Sequence, residues 1–121
     1  SELIVRFNPD GEITLANDAF AAFFGRHIKG VVKKNLREFF TPESIGGVDI
    51  LEWIPTKTGR STSRDFMVTL EDGKECWLQW HQRALFDDNG NLTEIQATGQ
   101  DITERLNNEK QLQAARDAAE A

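Results

Sequence analysis

The chain has 121 residues, of which 39% are hydrophobic and 28% are charged, and its formal net charge at pH 7 is −6. The length fits one domain rather than two, and the acidic balance argues against non-specific nucleic-acid binding, which depends on basic residues that neutralise phosphates. A single cysteine excludes an internal disulfide, and no apolar run approaches the roughly 20 residues that span a bilayer, so we expect a cytoplasmic segment without membrane contact.

The beginning of the chain predicts a β-hairpin followed by an aromatic helix. Residues 3–7 and 12–16 are predicted strands, and residues 8–11 (Asn-Pro-Asp-Gly) suit the tight turn between them. Asn17 is placed to cap the next helix. Three aromatic residues then recur at helical spacing, namely Phe20, Phe23 and Phe24. They either pack in a core, which is the ordinary explanation, or line a ligand cavity.

The middle of the chain predicts further short helices. Residues 28–40 indicate a helical stretch whose buried side would comprise Ile28, Val31, Val32, Leu36, Phe39 and Phe40. Thr41-Pro42 is a typical helix start, because threonine caps the helix and proline suits its first turn. Gly46-Gly47 interrupts the helical region that follows, and Pro55 ends it.

From residue 63 the hydrophobic period changes to two, which predicts strands at residues 63–70, 76–86 and 92–100. One face of the first of these strands carries Phe66, Val68 and Leu70. Along the second strand, one face carries Leu78, Trp80, Gln82, Ala84 and Phe86. The opposite face of that strand carries Trp77, Gln79, His81, Arg83 and Leu85.

Enzyme and metal chemistry lack a supporting pattern in this sequence. The chain has neither a Gly-x-Ser-x-Gly elbow nor a phosphate-binding glycine loop. Its two histidines, His27 and His81, have no spaced acidic partner that would indicate a metal site. Cys76 has no second cysteine to resolve an oxidised form, so a packed thiol is the simpler interpretation. We therefore predict no catalytic residues, no metal ligands and no enzyme activity in this segment.

The segment Asp101-Ile102-Thr103 lies where an alternating strand pattern stops and a run of helix formers, residues 104–120, starts. This junction is formed by residues 101–105 (Asp-Ile-Thr-Glu-Arg). It is preceded by residues 77–90 (Trp-Leu-Gln-Trp-His-Gln-Arg-Ala-Leu-Phe-Asp-Asp-Asn-Gly) and then by a final strand. In this order they resemble the end of a PAS domain, and the resemblance extends over residues 1 to 105.

The resemblance implies an α+β fold in which a five-stranded antiparallel sheet carries short helices on one face and is followed by a C-terminal signalling helix. Residues 1–103 would form the sensor domain, and residues 104–121 a linker helix leading to an output module outside this chain. The implied function is to transmit the state of a ligand or partner to that module, such as a histidine kinase or a diguanylate cyclase. The alternative is a dimerisation scaffold with a filled core and no ligand.

The resemblance also implies where a ligand and a signal would be handled. The inward strand positions would be Phe66, Val68, Leu70, Leu78, Trp80, Gln82, Ile95, Ala97 and Gly99. The predicted ligand-binding residues are Phe20, Phe24, Phe66, Val68, Leu78, Trp80, Gln82 and Ala97. With no inward cation, they favour a neutral small molecule whose polar groups meet Trp80 and Gln82. The signal junction would be Asp101, Ile102 and Thr103, where Asp101 caps the outgoing helix and Ile102 anchors its first turn.

Departures from chromophore-binding relatives limit the cofactor. Light-sensing relatives capture flavin with a cysteine, and the similar stretch here, residues 33–39, has Leu36 in its place, which excludes a photoadduct. Residues 41–62 contain no histidine, which argues against haem. We predict no cofactor and leave a non-covalent flavin as an alternative.

The predicted partner is a second copy of the chain. Trp77, His81 and Arg83 lie opposite the predicted core, where a large aromatic side chain favours a covering partner or flanking helix. Leu106 and Leu112 do not share a heptad phase, so we expect the terminal helix alone to form only a marginal dimer.

Overall fold

The computed structural model describes residues 2–55 and 61–120 and contains one antiparallel sheet of five strands. The strands are β1 (Leu3–Phe7), β2 (Ile13–Ala16), β3 (Ser61–Thr69), β4 (Glu75–Phe86) and β5 (Leu92–Asp101). Their order across the sheet is β2-β1-β5-β4-β3. The α-helices are α1 (Asp18–Phe23), α2 (Leu36–Phe39) and α3 (Thr103–Glu120), and three 3-10 turns span Ile28–Gly30, Pro42–Ile45 and Ile50–Trp53. The predicted α+β fold is therefore confirmed.

The register of β4 places its side chains alternately on two faces of the sheet. Trp80 lies opposite Gly99 of β5 and Arg64 of β3, whereas Trp77 lies opposite Met67 of β3. From Cys76 to Ala84, side chains with the parity of Trp80 are buried and those with the parity of Trp77 are exposed, whereas Leu85 and Phe86 at the end of the strand are both half-buried. We call these the inner and outer faces of the sheet. The alternation agrees with the faces predicted from the sequence.

The short helices cover the inner face and close the core. Phe20 of α1 and Leu36 of α2 are fully buried with the inner strand residues in one hydrophobic cluster. Asn17 caps α1, since its Oδ1 accepts the backbone N–H of Phe20 at 2.9 Å. The same oxygen accepts the N–H of Ile4 at 3.0 Å, so one side chain fixes the helix against β1.

The predicted helical stretch over residues 28–40 is wrong in part. A loop separates the 3-10 turn Ile28–Gly30 from α2, and within it Lys33 has a positive φ of 75°. The loop pairs with β2, because Lys33 N–H donates to the Ile13 carbonyl and Ile13 N–H donates to the Lys34 carbonyl, both at 2.8 Å. This pairing replaces helical hydrogen bonds. Val32 is consequently exposed and Ile28 is only half-buried, contrary to prediction.

The region after α2 consists of two 3-10 turns rather than α-helices. Thr41 caps the first turn, as predicted, by accepting the N–H of Ser44 on its side-chain oxygen at 3.3 Å. Gly46 and Gly47 follow with φ values of 85° and 87°, which suit glycine and stop the helix. Asp49 then caps the second turn through the N–H of Leu51 at 3.1 Å.

The terminal helix α3 leaves the sheet directly after β5. It has no buried residue, and Leu112 on it is largely exposed. Within the described ranges 2–55 and 61–120, no helix has both the length and the apolar character needed to cross a membrane.

Candidate functional site

The inner face of β4 carries two polar side chains in the centre of the core. Trp80 and Gln82 are two residues apart on the strand, and each is only 1% exposed. Strand geometry aims both side chains toward the helices that cover the sheet. They are the polar groups that the sequence predicted for ligand recognition.

Gln82 and Trp80 are incompletely hydrogen-bonded. Gln82 Nε2 donates to the backbone carbonyl of Trp53 at 2.9 Å, whereas Gln82 Oε1 is buried without a partner among the described residues. The indole Nε1–H of Trp80 is also buried and unpaired there. The core therefore contains one donor, Trp80 Nε1–H, and one acceptor, Gln82 Oε1, without a hydrogen bond among the described residues. A buried polar group in this state destabilises the fold by about 1–3 kcal/mol.

Aromatic rings fix the Trp80 side chain in place. Its ring centroid lies 5.1 Å from that of Phe40 and 6.2 Å from that of Phe66, both in edge-on arrangements. On the sheet side the indole lies against Gly99, where a Cβ atom would approach the indole carbon Cε3 to 3.0 Å. Position 99 therefore requires glycine for close approach of the ring to β5.

Seven of the eight predicted ligand-binding residues are buried together: Phe20, Phe66, Val68, Leu78, Trp80, Gln82 and Ala97. Phe24 is half-buried at the edge of the same cluster, with its ring centroid 5.0 Å from that of Phe20. The structure thus brings the predicted residues into one core, and ligand binding there stays a prediction. Sequence reasoning missed the Trp53 carbonyl, since no side-chain pattern identifies a backbone acceptor.

The signal junction joins β5, β4 and α3 through a chain of hydrogen bonds. Asp101 Oδ1 accepts the backbone N–H of Thr103 at 3.0 Å and its hydroxyl at 2.5 Å. Thr103 Oγ1 in turn accepts the N–H of Trp77 at 2.8 Å, and Ile102 N–H donates to the Trp77 carbonyl at 2.8 Å. The first residue of α3 is therefore tied to the outer-face tryptophan.

The position of Asp101 differs slightly from the predicted cap. Because α3 begins at Thr103, Ile102 occupies the N-cap position and Asp101 lies one residue before it. The Asp101 carboxylate still satisfies the first N–H of the helix. Ile102 is buried, although it lies outside the main core cluster, and its strand parity places it with the outer face.

Cys76 lies next to this junction, and its surroundings disfavour the reactive thiolate form. Burial raises the pKa of its thiol, and the nearby Asp101 carboxylate raises that pKa further. A raised pKa leaves little thiolate at neutral pH, which is the reactive form. This agrees with a packed thiol rather than a redox switch.

On the outer face, near the first residue of α3, Trp77 and Met67 form an exposed apolar row across two strands. Trp77 and its cross-strand neighbour Met67 are 39% and 38% exposed. Higher on the same face, His81 Nδ1 and Ser63 Oγ are hydrogen-bonded at 2.8 Å. Across residues 2–55 and 61–120, no group of three or more histidine, cysteine or acidic side chains is arranged to hold a metal ion.

Comparison with known families gives a match over most of the chain. The sequence model of the PAS domain family matches residues 2–104. The chain is 30% identical to the two-component sensor PprA of Pseudomonas aeruginosa over 101 aligned residues. This alignment covers 84% of this chain and 11% of PprA. Over 107 residues the chain is 25% identical to the biofilm dispersion protein BdlA of the same organism, covering 88% of this chain and 26% of BdlA.

Solved structures give the same result at the level of the fold. The PAS domain of BvgS from Bordetella pertussis aligns with a TM-score of 0.62 and 25% identity, over 93% of this chain and 84% of that chain. A light-oxygen-voltage domain, solved in a study of a flavin analogue, aligns with a TM-score of 0.62 and 18% identity, over 97% of this chain and 89% of that chain. At that identity the second likeness shows the fold alone.

Proposed function

This chain belongs to the PAS domain family, and we propose that it is the sensing module of a larger cytoplasmic signalling protein. A PAS domain itself is non-catalytic. In this proposal the domain detects a small molecule and passes its state through α3 to an output module, such as a histidine kinase or a diguanylate cyclase. A sensor role is supported by the similarity to PprA, although the chain spans only 11% of that protein and 26% of BdlA.

The observation that carries the ligand proposal is a pair of polar atoms in the core that have no hydrogen-bond partner in the part of the chain that the structure describes. Trp80 Nε1–H needs an acceptor and Gln82 Oε1 needs a donor. A ligand with one acceptor and one donor satisfies both, while the surrounding apolar walls favour a neutral molecule over a charged one. A flavin held without a covalent bond belongs to this class. No inner-face position offers a histidine among the described residues, so haem is not proposed.

A second candidate function is a dimerisation scaffold with a filled core. The close aromatic packing favours it, since the rings of Phe40, Phe66 and Trp80 lie within 6.2 Å of one another by centroid. In this case internal water or a small shift of the Gln82 amide would satisfy the unpaired atoms.

A thermal-shift screen of neutral compounds separates the two functions. We expect a neutral compound with a donor and an acceptor to raise the melting temperature of the parent. Gln82→Leu should weaken its binding by about 1–3 kcal/mol, because the leucine cannot accept a buried hydrogen bond. Gln79→Leu, on the outer face of the same strand, is the matched control and should bind as the parent does. Equal binding by both variants would refute the inner site.

We also propose that the domain forms a homodimer through the outer face. The exposed row of Trp77 and Met67 supports this, because large apolar side chains on a strand surface are commonly covered by a partner. Trp77→Ala should lower the self-association constant in analytical ultracentrifugation, whereas Lys29→Ala, at an exposed position away from the sheet's outer face, should leave it unchanged. An unaltered constant for Trp77→Ala would exclude this face from self-association.

A further inference from the structure

A cavity lies at the edge of the domain, away from the proposed core site around Trp80 and Gln82. It has a volume of about 290 Å³ and opens to solvent between the end of α1, the region from α2 to the next 3-10 turn, and the β3–β4 hairpin. We call it the edge cleft. Of the predicted ligand-binding residues it includes only Phe24. Any molecule bound there would contact neither Trp80 nor Gln82.

The edge cleft is lined by both apolar and acidic side chains. Its apolar surface comes from Phe24, Phe39 and Leu70. Its charged lining consists of one guanidinium and three carboxylates, namely Arg26, Glu38, Glu43 and Glu71. The carboxylates disfavour an anion, and the aromatic rings favour a ligand with an apolar body.

Arg26 shows how a cation fits this cleft. Its guanidinium carbon lies 5.6 Å from the centroid of the Phe39 ring, and its Nη2 lies 3.4 Å from Glu71 Oε1. The two side chains of this ion pair are 41% and 88% exposed, so water screens their attraction and the pair is weak. The cationic group of a ligand could therefore displace the Arg26 guanidinium with little loss of free energy.

Two carboxylates of the cleft remain without a counter-charge. Glu71 is paired with Arg26, whereas Glu38 and Glu43 form no ion pair within residues 2–55 and 61–120. Both carboxylates line the same cleft as the Phe39 ring and Glu71. The cleft therefore offers a cationic ligand more negative charge than Arg26 alone neutralises.

We propose that the edge cleft binds a small organic ammonium ion, whose charged head replaces the Arg26 guanidinium over Phe39 and whose apolar part lies against Phe24 and Leu70. The cleft volume suits a ligand of few atoms, since drug-sized pockets begin near about 300 Å³. The walls come from three separate segments of the chain, so a bound ammonium ion would hold the helices against the β3–β4 hairpin.

The test is an NMR titration of the full chain with choline at low ionic strength. We expect saturable shifts of the amides of residues 24–26, 38–44 and 69–71. The neutral alcohol in which a carbon atom replaces the nitrogen of choline is the matched control ligand, and it should produce no saturable shifts there. Equal binding of the alcohol and choline would overturn the proposal, because the site would then not recognise charge.

Two pairs of variants test the role of each wall. Arg26→Ala should tighten choline binding by about two- to fivefold, because it removes a competing cation over an exposed ring. Lys29→Ala removes the same charge from a residue outside the cleft and should leave the affinity unchanged. Glu38→Gln with Glu43→Gln should weaken binding, whereas Glu109→Gln with Glu120→Gln on α3 should not. If no choline shifts occur even in Arg26→Ala, or if each variant behaves like its control, the proposal is wrong.

Discussion

The two faces of β4 place the same residue type in opposite environments. Trp80 on the inner face is 1% exposed and packed among aromatic rings, whereas Trp77, three residues earlier on the outer face, is 39% exposed. Among residues 2–55 and 61–120 the side-chain N–H of the inner tryptophan has no hydrogen-bond partner, while the backbone of the outer one is hydrogen-bonded in the junction with α3. A single strand thus connects a candidate ligand contact with the start of α3.

The difference suggests a route by which ligand binding at the inner face would alter the contacts of α3. A ligand on the inner face would act on Trp80, which is held between the Phe40 ring and Gly99. Three residues along the same strand, the backbone of Trp77 is hydrogen-bonded to Ile102 and Thr103. Under the proposed sensing function, a small displacement of β4 would change the contacts that begin α3, without requiring the ligand to touch the outer face.

Replacing each tryptophan by alanine gives the strongest test of this contrast. Trp80→Ala should lower the free energy of unfolding by about 3–5 kcal/mol, because it leaves a large cavity in the core. Trp77→Ala should lower it by about 1 kcal/mol or less, since water already reaches much of that ring. Urea unfolding of the monomer measures both values. Similar losses for the two variants would remove the distinction between the faces.

Gly99 tests how tightly the inner face is packed. Gly99→Ala should cost about 1–3 kcal/mol, because the added methyl group would lie 3.0 Å from the Trp80 ring and force it to move. Gly30→Ala is the matched control, since a Cβ there meets nothing within 4 Å, and its effect should stay within about 0.5 kcal/mol. A stable Gly99→Ala variant with unchanged tryptophan fluorescence would show that the core has spare room.

Asp101 tests the connection between the outer face and α3. Asp101→Ala should cost about 1 kcal/mol of stability through loss of the bond to the first helical N–H, yet should change the basal output of the full-length protein markedly. Asp87 is the matched control, because its carboxylate accepts backbone N–H groups of Asn89 and Asn91 in a turn distant from α3. Asp87→Ala should lower stability without altering output. Equal output from Asp101→Ala and the parent would refute the coupling.

The ion pair between Arg37 of α2 and Asp49, the cap of the 3-10 turn Ile50–Trp53, should give the smallest effect, and that effect depends on pH. The bidentate hydrogen bonds from Arg37, at 3.1 and 2.7 Å, hold the pKa of Asp49 below its ordinary value, and the N–H of Leu51 lowers that pKa further. Because the folded-state pKa is lowered, the stabilisation is present above the ordinary value of about 3.9 and is lost as pH falls through the folded-state pKa.

The prediction concerns the difference between the parent and Asp49→Asn. Their melting temperatures should differ slightly at neutral pH, since both side chains of the pair are partly exposed, and should converge well below about pH 3.9. Thermal melts over a pH series measure this difference. A gap that persists undiminished in acid would show that the asparagine acts through packing and not through charge.

Local rules predicted the strands and their faces from the sequence. The two-residue alternation over residues 76–86 put Trp80 and Gln82 on one face and Trp77 on the other, because strand geometry fixes parity without knowledge of the rest of the fold. The resemblance to PAS domains then implied which of the two faces is inward. The change of composition at Asp101 similarly located the start of α3 to within one residue.

Contacts between distant segments could not be predicted in this way. Gln82 Nε2 donates to a carbonyl 29 residues away, and Trp77 N–H donates to a hydroxyl 26 residues away. The predicted helix over residues 28–40 failed for the same reason, since pairing with β2 replaced helical hydrogen bonds around Lys33. The edge cleft also escaped prediction, because its walls come from three separate parts of the chain.

The most direct test of the sensing function is native mass spectrometry of freshly purified protein, parent and Gln82→Leu side by side. We predict that the parent retains a neutral small molecule in equimolar amount and that Gln82→Leu, made in the same cells, retains much less. The released molecule should raise the melting temperature of ligand-free parent protein when added back. Unliganded masses for both proteins, together with no stabilisation by any neutral compound, would contradict sensing and leave the filled-core scaffold as the function of this domain.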